Sequence, residues 1–399
     1  MNKFAAIKRR LAKGCYYALP LAVMFCSYAL CIRGIQWAYL NPDERKIAGW
    51  LQETAKQPYI TDRAYPGGFF ELYRPIRAVE NALARVSENI ATWQQQNPSA
   101  VADKGGSSSL LRVRHLNASF IALSCLFVFF MAKRMFHSLA SHGVSAVSTF
   151  AAALTAFIYG TSPFLVEHAH YGETEGAMAL MGALTLMLLT YALTSLKAWQ
   201  LLLASVSLGF AIGCKYTLLP IIMILPACVL VFGRCRRFRF GKTVFFLMVT
   251  LVLAVAGFAL ATPALYHDFS FFVSSMKETS LATYNEMHGL LGRMAEAPGA
   301  ARLFKTQCFS TEAAKLGLFW WVWFVLALPF WLAPRVRRYA VVLPLFGLCF
   351  ALYVVFAFPW FRNQEFIPLL PLLSVTTVLP FAFADFRMMA SPRAKVLTA

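Results

Sequence analysis

Two acidic residues, Asp43 and Glu44, follow directly after a first apolar run at residues 15 to about 40. A carboxylate pair beside a bilayer surface is costly to desolvate, and anchoring there is normally done by basic and aromatic residues. The position of the pair therefore suggests chemistry at a membrane face. A structural alternative stays open, because acids in a first helical turn stabilise the helix dipole. Glu44 fits it better than Asp43, since Asn41, Pro42 and Glu44 match a helix start with a capping-box acid.

Further groups that could act with this pair come from separate loops on the same predicted side of the membrane. They are His170, Glu173, Glu175, Lys215, His288, Arg362 and Glu365. Imidazole and carboxylate groups suit a divalent ion, so His170, Glu173 and Glu175 form a candidate metal site; a solvated polar loop is the alternative, since no zinc spacing such as HExxH is present. The charges of Lys215 and Arg362 suit a lipid phosphate, and interfacial anchoring is their alternative role.

The elements that must position these groups are membrane helices. The chain has 399 residues, of which 59% are hydrophobic and only 14% charged, with a mean hydropathy of +0.58. A soluble domain carries about 25% charged residues. Apolar runs of spanning length recur along the whole chain. The predicted spans are roughly 15–38, 112–131, 145–161, 175–196, 199–214, 216–233, 243–263, 317–333, 339–358 and 366–386.

The distribution of charge predicts the orientation of these ten spans. If the N-terminus is cytoplasmic, the loops on that side hold 19 of the 37 Lys and Arg residues but only one acid, Asp385. Short basic loops are typical of the cytoplasmic side. Both termini are therefore predicted to be cytoplasmic, and the formal net charge of +19 reflects topology. Nucleic-acid binding is a poor explanation, because the basic residues are scattered among short loops.

The opposite, outer side holds the two long loops, residues 39–111 and 264–316, within a single membrane domain covering 1–399. Apolar residues recur at three- and four-residue spacing from about 69 to 93, which together with a helix at about 42–56 predicts an amphipathic, interfacial helix pair in the first outer loop. In the fifth span, Ser205, Gly209 and Gly213 form a small-residue face suited to close helix packing.

The order of the motifs resembles the GT-C superfamily of glycosyltransferases that use polyprenyl-phosphate sugars. The branch with protein O-mannosyltransferases and lipid A aminoarabinose transferases is the most similar. The matching pieces are Pro42-Asp43-Glu44, Tyr65-Pro66, His170-Tyr171-Gly172-Glu173-Thr174-Glu175, Gly209 to Gly213 leading into Lys215-Tyr216, Thr262-Pro263 to His288-Gly289, and Arg362 to Pro368-Leu369-Leu370-Pro371. They cover nearly the whole chain in order. Each piece alone is weak, and their order and sidedness carry the resemblance.

The resemblance implies an all-α polytopic GT-C-like fold and a general base at Asp43. Its second acidic position best matches Glu175, with Glu173 as the rival, although the family usually has Asp there. Substrate-binding roles would fall to Lys215, Arg362 and the motif residues His170, Tyr65 and His288. The one cofactor expected is a divalent ion held by Glu173, Glu175 and His170. No soluble C-terminal domain follows the last predicted span, so acceptor recognition is expected from the outer loops.

The predicted function is transfer of a sugar, with inversion, from a polyprenyl-phosphate donor to a hydroxyl on a lipid, glycan or protein acceptor. The reaction would take place on the periplasmic or extracytoplasmic face of the plasma membrane. A lipid-linked-sugar flippase or transporter is the alternative, although the predicted span interiors almost lack ionisable residues and no repeat halves are visible. A non-catalytic membrane scaffold, in which the acidic pair only caps a helix, is a third possibility.

Overall fold

The structure is a computed structural model that describes ten segments of the chain. These are residues 3–33, 35, 71–75, 107–139, 145–171, 174–278, 318–332, 339, 341–349 and 367–389. All regular elements in these segments are α-helices or 3-10 helices. The described part of the chain therefore agrees with the predicted all-α class.

Eleven α-helices are numbered in chain order. They are α1 Lys3–Ile32, α2 Ser107–Leu139, α3 Ser145–Gly160, α4 Pro163–Ala169, α5 Glu175–Ser195, α6 Ala198–Cys214, α7 Ile224–Cys235, α8 Phe240–Ala261, α9 Ala264–His267, α10 Leu318–Ala327 and α11 Leu370–Met389. Two 3-10 helices, Tyr216–Met223 and Leu328–Leu332, lead into α7 and follow α10. Residues 71–75, 269–278 and 343–349 are also helical.

Among the described residues, three helical segments are long and apolar enough to cross a membrane: Leu111–Ser138, Glu175–Ser195 and Phe240–Ala261. A fourth is obtained if α3 and α4 form one span, bent by 53° at the break between them. Five shorter apolar helices accompany them in the described segments. This composition indicates a membrane-embedded protein, whereas the number of ten spans stays a prediction. Because α2 begins at Ser107, it extends into the range predicted as the first outer loop, 39–111.

The helices pack in a chain of neighbours with α2 and α5 at its centre. Helix α2 contacts α1, α3 and α5, while α5 contacts α6, and α6 in turn contacts α8. Of the apolar window in α5, 78% is buried inside the protein, against 22% in α8. Helix α5 is therefore an inner helix of the described bundle, and α8 lies at its edge with much of its apolar side exposed.

The closest helix contact is between α6 and α8, and it depends on glycine. A Cβ atom added at Gly209 would overlap the backbone carbonyl of Ala254, and one at Gly257 would overlap that of Val206. Backbones approach this closely in membranes only where side chains are minimal, which allows dispersion contacts between the helices. Of the small-residue face predicted at Ser205, Gly209 and Gly213, the two glycines pack directly on α8.

Several helix ends meet at one end of the bundle, which we call the Glu175 end. Arg114, near the start of α2, donates a hydrogen bond of 2.8 Å to the carbonyl of Ile35, just after α1. Helix α5 begins at this end. Helices α6 and α8 both finish here, since a Cβ atom added at Gly213, near the end of α6, would lie 3.3 Å from the Oγ1 atom of Thr262, the residue after α8. The opposite end carries the turn between α7 and α8.

Candidate functional site

The centre of the Glu175 end is an ion pair between Glu175 and Lys215. The Nζ atom of Lys215 donates a hydrogen bond to the Oε1 atom of Glu175, and the side chains of Lys215 and Glu175 are only 14% and 3% exposed, respectively. Removing a carboxylate and an ammonium from water costs several kcal/mol for each ion, as an order of magnitude, unless they are paired. The pairing is therefore what allows both charges to lie inside the bundle.

The position of Lys215 follows from the way α6 ends. Lys215 is a single extended residue (φ −154°, ψ 118°) between α6 and the 3-10 helix. Its N–H donates to the carbonyl of Ala211 at 3.2 Å, and its own carbonyl accepts from the N–H of Leu218 at 3.0 Å. The break in the helix is thus bridged by backbone hydrogen bonds. The side chain of Lys215 reaches the first residue of α5 across the packed interface between α5 and α6.

Asn117 holds the turn that precedes Glu175. Its Nδ2 atom donates to the carbonyls of His168 (2.8 Å) and Tyr171 (2.7 Å), and its Oδ1 atom accepts the N–H of Gly176 at 2.7 Å. The side chain is completely buried. A buried amide that satisfies three backbone groups joins the end of α4 to the start of α5. Gly176 is required for this contact, because a Cβ there would overlap the Oδ1 atom of Asn117.

The sequence interpretation did not include Asn117. The signal that could have found it is a side-chain amide inside the second predicted span, where polar groups are costly unless they bind a partner. The hydrogen bonds of Asn117 go to backbone groups and therefore position the site.

His170 lies in the turn that Asn117 holds. Burial lowers the pKa of its imidazole, against the raising effect of a hydrogen bond to the carbonyl of Arg33. Its Nε2 atom is buried and has no hydrogen-bond partner among the described residues. The ring of His168 stands edge-on to that of Tyr171, with 5.9 Å between the centroids. The turn thus brings imidazole groups to the end of the bundle where Glu175 begins α5.

Two buried hydroxyl groups lie at the adjoining ends of α6 and α8. The hydroxyl of Tyr216 and the Oγ1 atom of Thr262 lie close to each other, and neither has a hydrogen-bond partner of normal geometry within the described segments. Tyr216 follows Lys215 directly, and its ring packs on that of Phe258 at 6.0 Å. Buried hydroxyls are usually hydrogen-bonded, so two such groups beside Lys215 are candidates for contact with a polar ligand.

An apolar cleft adjoins the ion pair. It is narrow and lies between α3, α5, the 3-10 helix and α11. Its lining includes Tyr159, Met178, Gly182, Leu218, Phe346 and Pro371. Met178 and Leu218 each lie three residues after a member of the pair, so the cleft begins about one helical turn from the two charges. No atom lies within 4 Å of the place where a Cβ of Gly182 would be.

Of the predicted site residues, the structure describes Glu175, Lys215 and His170 and brings the first two into direct contact. Seven others lie outside the described residues: Asp43, Glu44, Tyr65, Glu173, His288, Arg362 and Glu365. Within the described segments, no three His, Cys, Asp or Glu side chains form a metal-binding group. Since Glu173 is not among the described residues, the divalent-ion site stays a prediction.

No protein-family model matches this chain, and no curated protein matches it as a significant sequence relative.

Proposed function

We propose that this protein is an integral membrane glycosyltransferase that moves a sugar from a polyprenyl-phosphate donor to a hydroxyl acceptor. The observation that carries this proposal is the buried pair of Glu175 and Lys215 beside a narrow apolar cleft. A lipid-phosphate sugar has the same two parts, a charged group and an apolar chain. The order of sequence motifs from Asp43 to Arg362 supplies the second line of support.

Lys215 would bind the phosphate of the donor, because an ammonium is an effective point charge for phosphate oxygens. Glu175 would act as a positioning residue that holds the ammonium at the mouth of the cleft. The buried hydroxyls of Tyr216 and Thr262 would add neutral donors. The prenyl chain would enter the cleft past Met178 and Leu218, which present only apolar atoms to it.

The chemical step is a single displacement at the anomeric carbon. The carboxylate of Asp43 takes the proton of the acceptor hydroxyl as its oxygen forms a bond to that carbon. The bond from carbon to the phosphate oxygen breaks, and polyprenyl phosphate leaves with the electron pair. Positive charge at Lys215 and Arg362 stabilises the leaving phosphate. Attack from the opposite face inverts the anomeric centre.

A divalent ion is a further element of the proposal. His170 and Glu175, with Glu173, carry donor atoms of the kind that divalent ions bind. When bound, such an ion would add positive charge near the leaving phosphate. The buried Nε2 atom of His170, without a partner among the described residues, fits a ligand role.

The proposed topology has ten spans, cytoplasmic termini and the Glu175 end on the outer face of the plasma membrane. The asymmetry of charge supports this orientation, because the turn between α7 and α8 and the adjoining ends of these two helices, at the other end of the bundle, carry five basic residues and no acid. The acceptor would be bound by the outer loops 39–111 and 264–316.

A glycine in the cleft offers a test of the donor site. Gly182→Leu places a side chain in the cleft without a backbone clash, whereas the matched variant Gly241→Leu places it in open space on α8. We expect Gly182→Leu to lower kcat/KM for a long-chain polyprenyl-phosphate sugar at least about tenfold, mainly through KM. A donor with a truncated prenyl chain should be used equally well by both variants. The measurement is label transfer by purified protein to acceptors in a membrane extract.

Two results would overturn the proposal. Equal transfer of the long-chain donor by Gly182→Leu and Gly241→Leu would remove the cleft from donor binding. Absence of transfer by the wild type, together with movement of the intact lipid between leaflets of a vesicle, would instead favour the flippase function.

A further inference from the structure

The turn between α7 and α8 presents a concentrated positive charge. This basic turn is defined by Arg234, Arg236, Arg237, Arg239 and Lys242, all of which are exposed. Between Glu175 and Asp268 the sequence contains no acidic residue, so the helices that flank the basic turn offer it no carboxylate. This charge therefore has no counter-ion on its own or the adjoining helices.

Backbone hydrogen bonds hold the conformation of the basic turn. The N–H of Arg236 donates to the carbonyl of Phe232 at 2.9 Å, and the N–H of Phe238 donates to the carbonyl of Gly233 at 2.8 Å. Arg237 adopts a left-handed conformation with φ 55°. Glycine or asparagine adopts this conformation more readily than arginine, so the backbone does not explain the choice of residue.

Aromatic side chains pack against one another beside the basic turn. The rings of Phe232, Phe238 and Phe246 lie 5.7–5.9 Å apart, and the Nζ atom of Lys242 stands 4.5 Å above the ring of Phe238. Phe240 is different, because it is 85% exposed and lies next to Arg239. The basic turn thus combines a cluster of packed aromatic rings, several cations and an exposed aromatic ring.

An exposed apolar strip continues from the basic turn along α8. It consists of Phe240, Val244, Phe245, Met248 and Val252. A ligand that contacts both the cations and this strip must have an anionic head and an apolar tail. Nucleic acids and soluble phosphates have only the first of these features. A phospholipid has both.

We propose that the basic turn is a binding site for the headgroup of an anionic phospholipid whose acyl chains lie along the apolar strip of α8. Guanidinium groups contact the phosphodiester through paired N–H donors. Each basic residue near an anionic membrane surface contributes roughly fivefold to binding. This site lies at the opposite end of the bundle from Glu175 and does not depend on the proposed transferase activity.

The test uses full-length protein in detergent and native mass spectrometry with added phosphatidylglycerol. Combining Arg236→Gln, Arg237→Gln and Arg239→Gln should weaken phosphatidylglycerol binding about 100-fold. The variant with Lys at the same three positions keeps the charge and should bind phosphatidylglycerol within about tenfold of the wild type. Its affinity should be lower than that of the wild type because an ammonium cannot form the paired hydrogen bonds of a guanidinium group. Phosphatidylcholine should bind to none of these proteins with comparable affinity.

A matched control removes the same charge from the Glu175 end. Arg33, Arg112 and Lys277 are exposed, and their combined change to Gln should alter phosphatidylglycerol binding less than about twofold. The proposal is overturned if both Gln triples lose binding equally, which would make the effect one of net charge. Unchanged binding by the Arg236, Arg237 and Arg239 triple, or competition by inorganic phosphate at the same concentration as the lipid, would also overturn it.

Discussion

Lys215 and the basic turn, which lie at opposite ends of the helical bundle, carry positive charge in opposite ways. At the Glu175 end, Lys215 is buried and paired with Glu175, and backbone hydrogen bonds fix the residue on both sides. At the basic turn, five cations are exposed and the flanking helices supply no acid. The difference shows that surroundings decide what a cation does: a buried pair is a preorganised local site, whereas exposed like charges attract an external anion.

The largest difference in protein stability is expected when one cation is replaced at each end of the bundle. Lys215→Met removes the ammonium that pairs with the carboxylate of Glu175, which is only 3% exposed, so the free energy of unfolding should fall by about 3–5 kcal/mol. The same change at exposed Arg236 should alter it by less than about 0.5 kcal/mol. Equilibrium unfolding in mixed detergent micelles measures both.

A double variant separates the pair from the packing of its side chains. Combining Lys215→Met with Glu175→Gln removes both charges, and we expect it to recover part of the loss caused by Lys215→Met alone. Strictly additive losses would mean that the two charges do not interact and would contradict the stabilising role of the ion pair.

Glycine substitutions extend the comparison to the backbone. Gly176→Ala forces a methyl group against the Oδ1 atom of Asn117 and should destabilise the protein by about 1–3 kcal/mol. Gly241→Ala, at the start of α8 beside the basic turn, meets open space and should be neutral or stabilising by up to about 1 kcal/mol. The free energies of unfolding of the two variants, measured under the same conditions, test this expectation. Equal changes in the two variants would show that the contact between Gly176 and Asn117 does not constrain the turn.

The smallest expected difference is in pH dependence. Burial raises the pKa of Glu71 above its ordinary value of 4.5, against the lowering effects of Arg74, 2.8 Å away, and of His267 in α9, the short helix that follows α8. The stability contribution of a carboxyl with a raised pKa is complete below pH 4.5 and is lost as the pH rises through the folded-state pKa. The basic turn contains no carboxyl or imidazole side chain.

Glu71→Gln should therefore remove part of the decline in unfolding free energy just above pH 4.5, whereas Arg239→Gln should leave that part unchanged. Thermal unfolding across this pH range measures both variants. An identical pH profile for Glu71→Gln and the wild type would contradict the assigned shift.

Hydropathy was sufficient to place most of the helices. The predicted spans 175–196 and 199–214 correspond to Glu175–Ser195 and Ala198–Cys214, because long apolar runs flanked by polar residues leave little freedom in their boundaries. The small-residue face of α6 was also visible in the sequence, since glycines at four-residue spacing lie on one side of a helix.

The contacts within the site were not predictable in the same way. Glu175 and Lys215 were both singled out, yet they are 40 residues apart, and their contact depends on the rotation of α5 and α6 about their axes. Asn117 was missed because its partners are backbone groups of a turn that folds back on α2. Hydropathy carries no information on either arrangement.

The most direct test of the proposed function is sugar transfer by Asp43→Asn. Purified wild-type and variant protein would be incubated with a labelled polyprenyl-phosphate sugar and a membrane extract, after both are shown to unfold at the same temperature. Loss of the general base should lower the rate of transfer by about 10²–10⁴-fold, with binding of the donor retained. Equal transfer of label by the two proteins would contradict the role of Asp43 and with it the proposed mechanism.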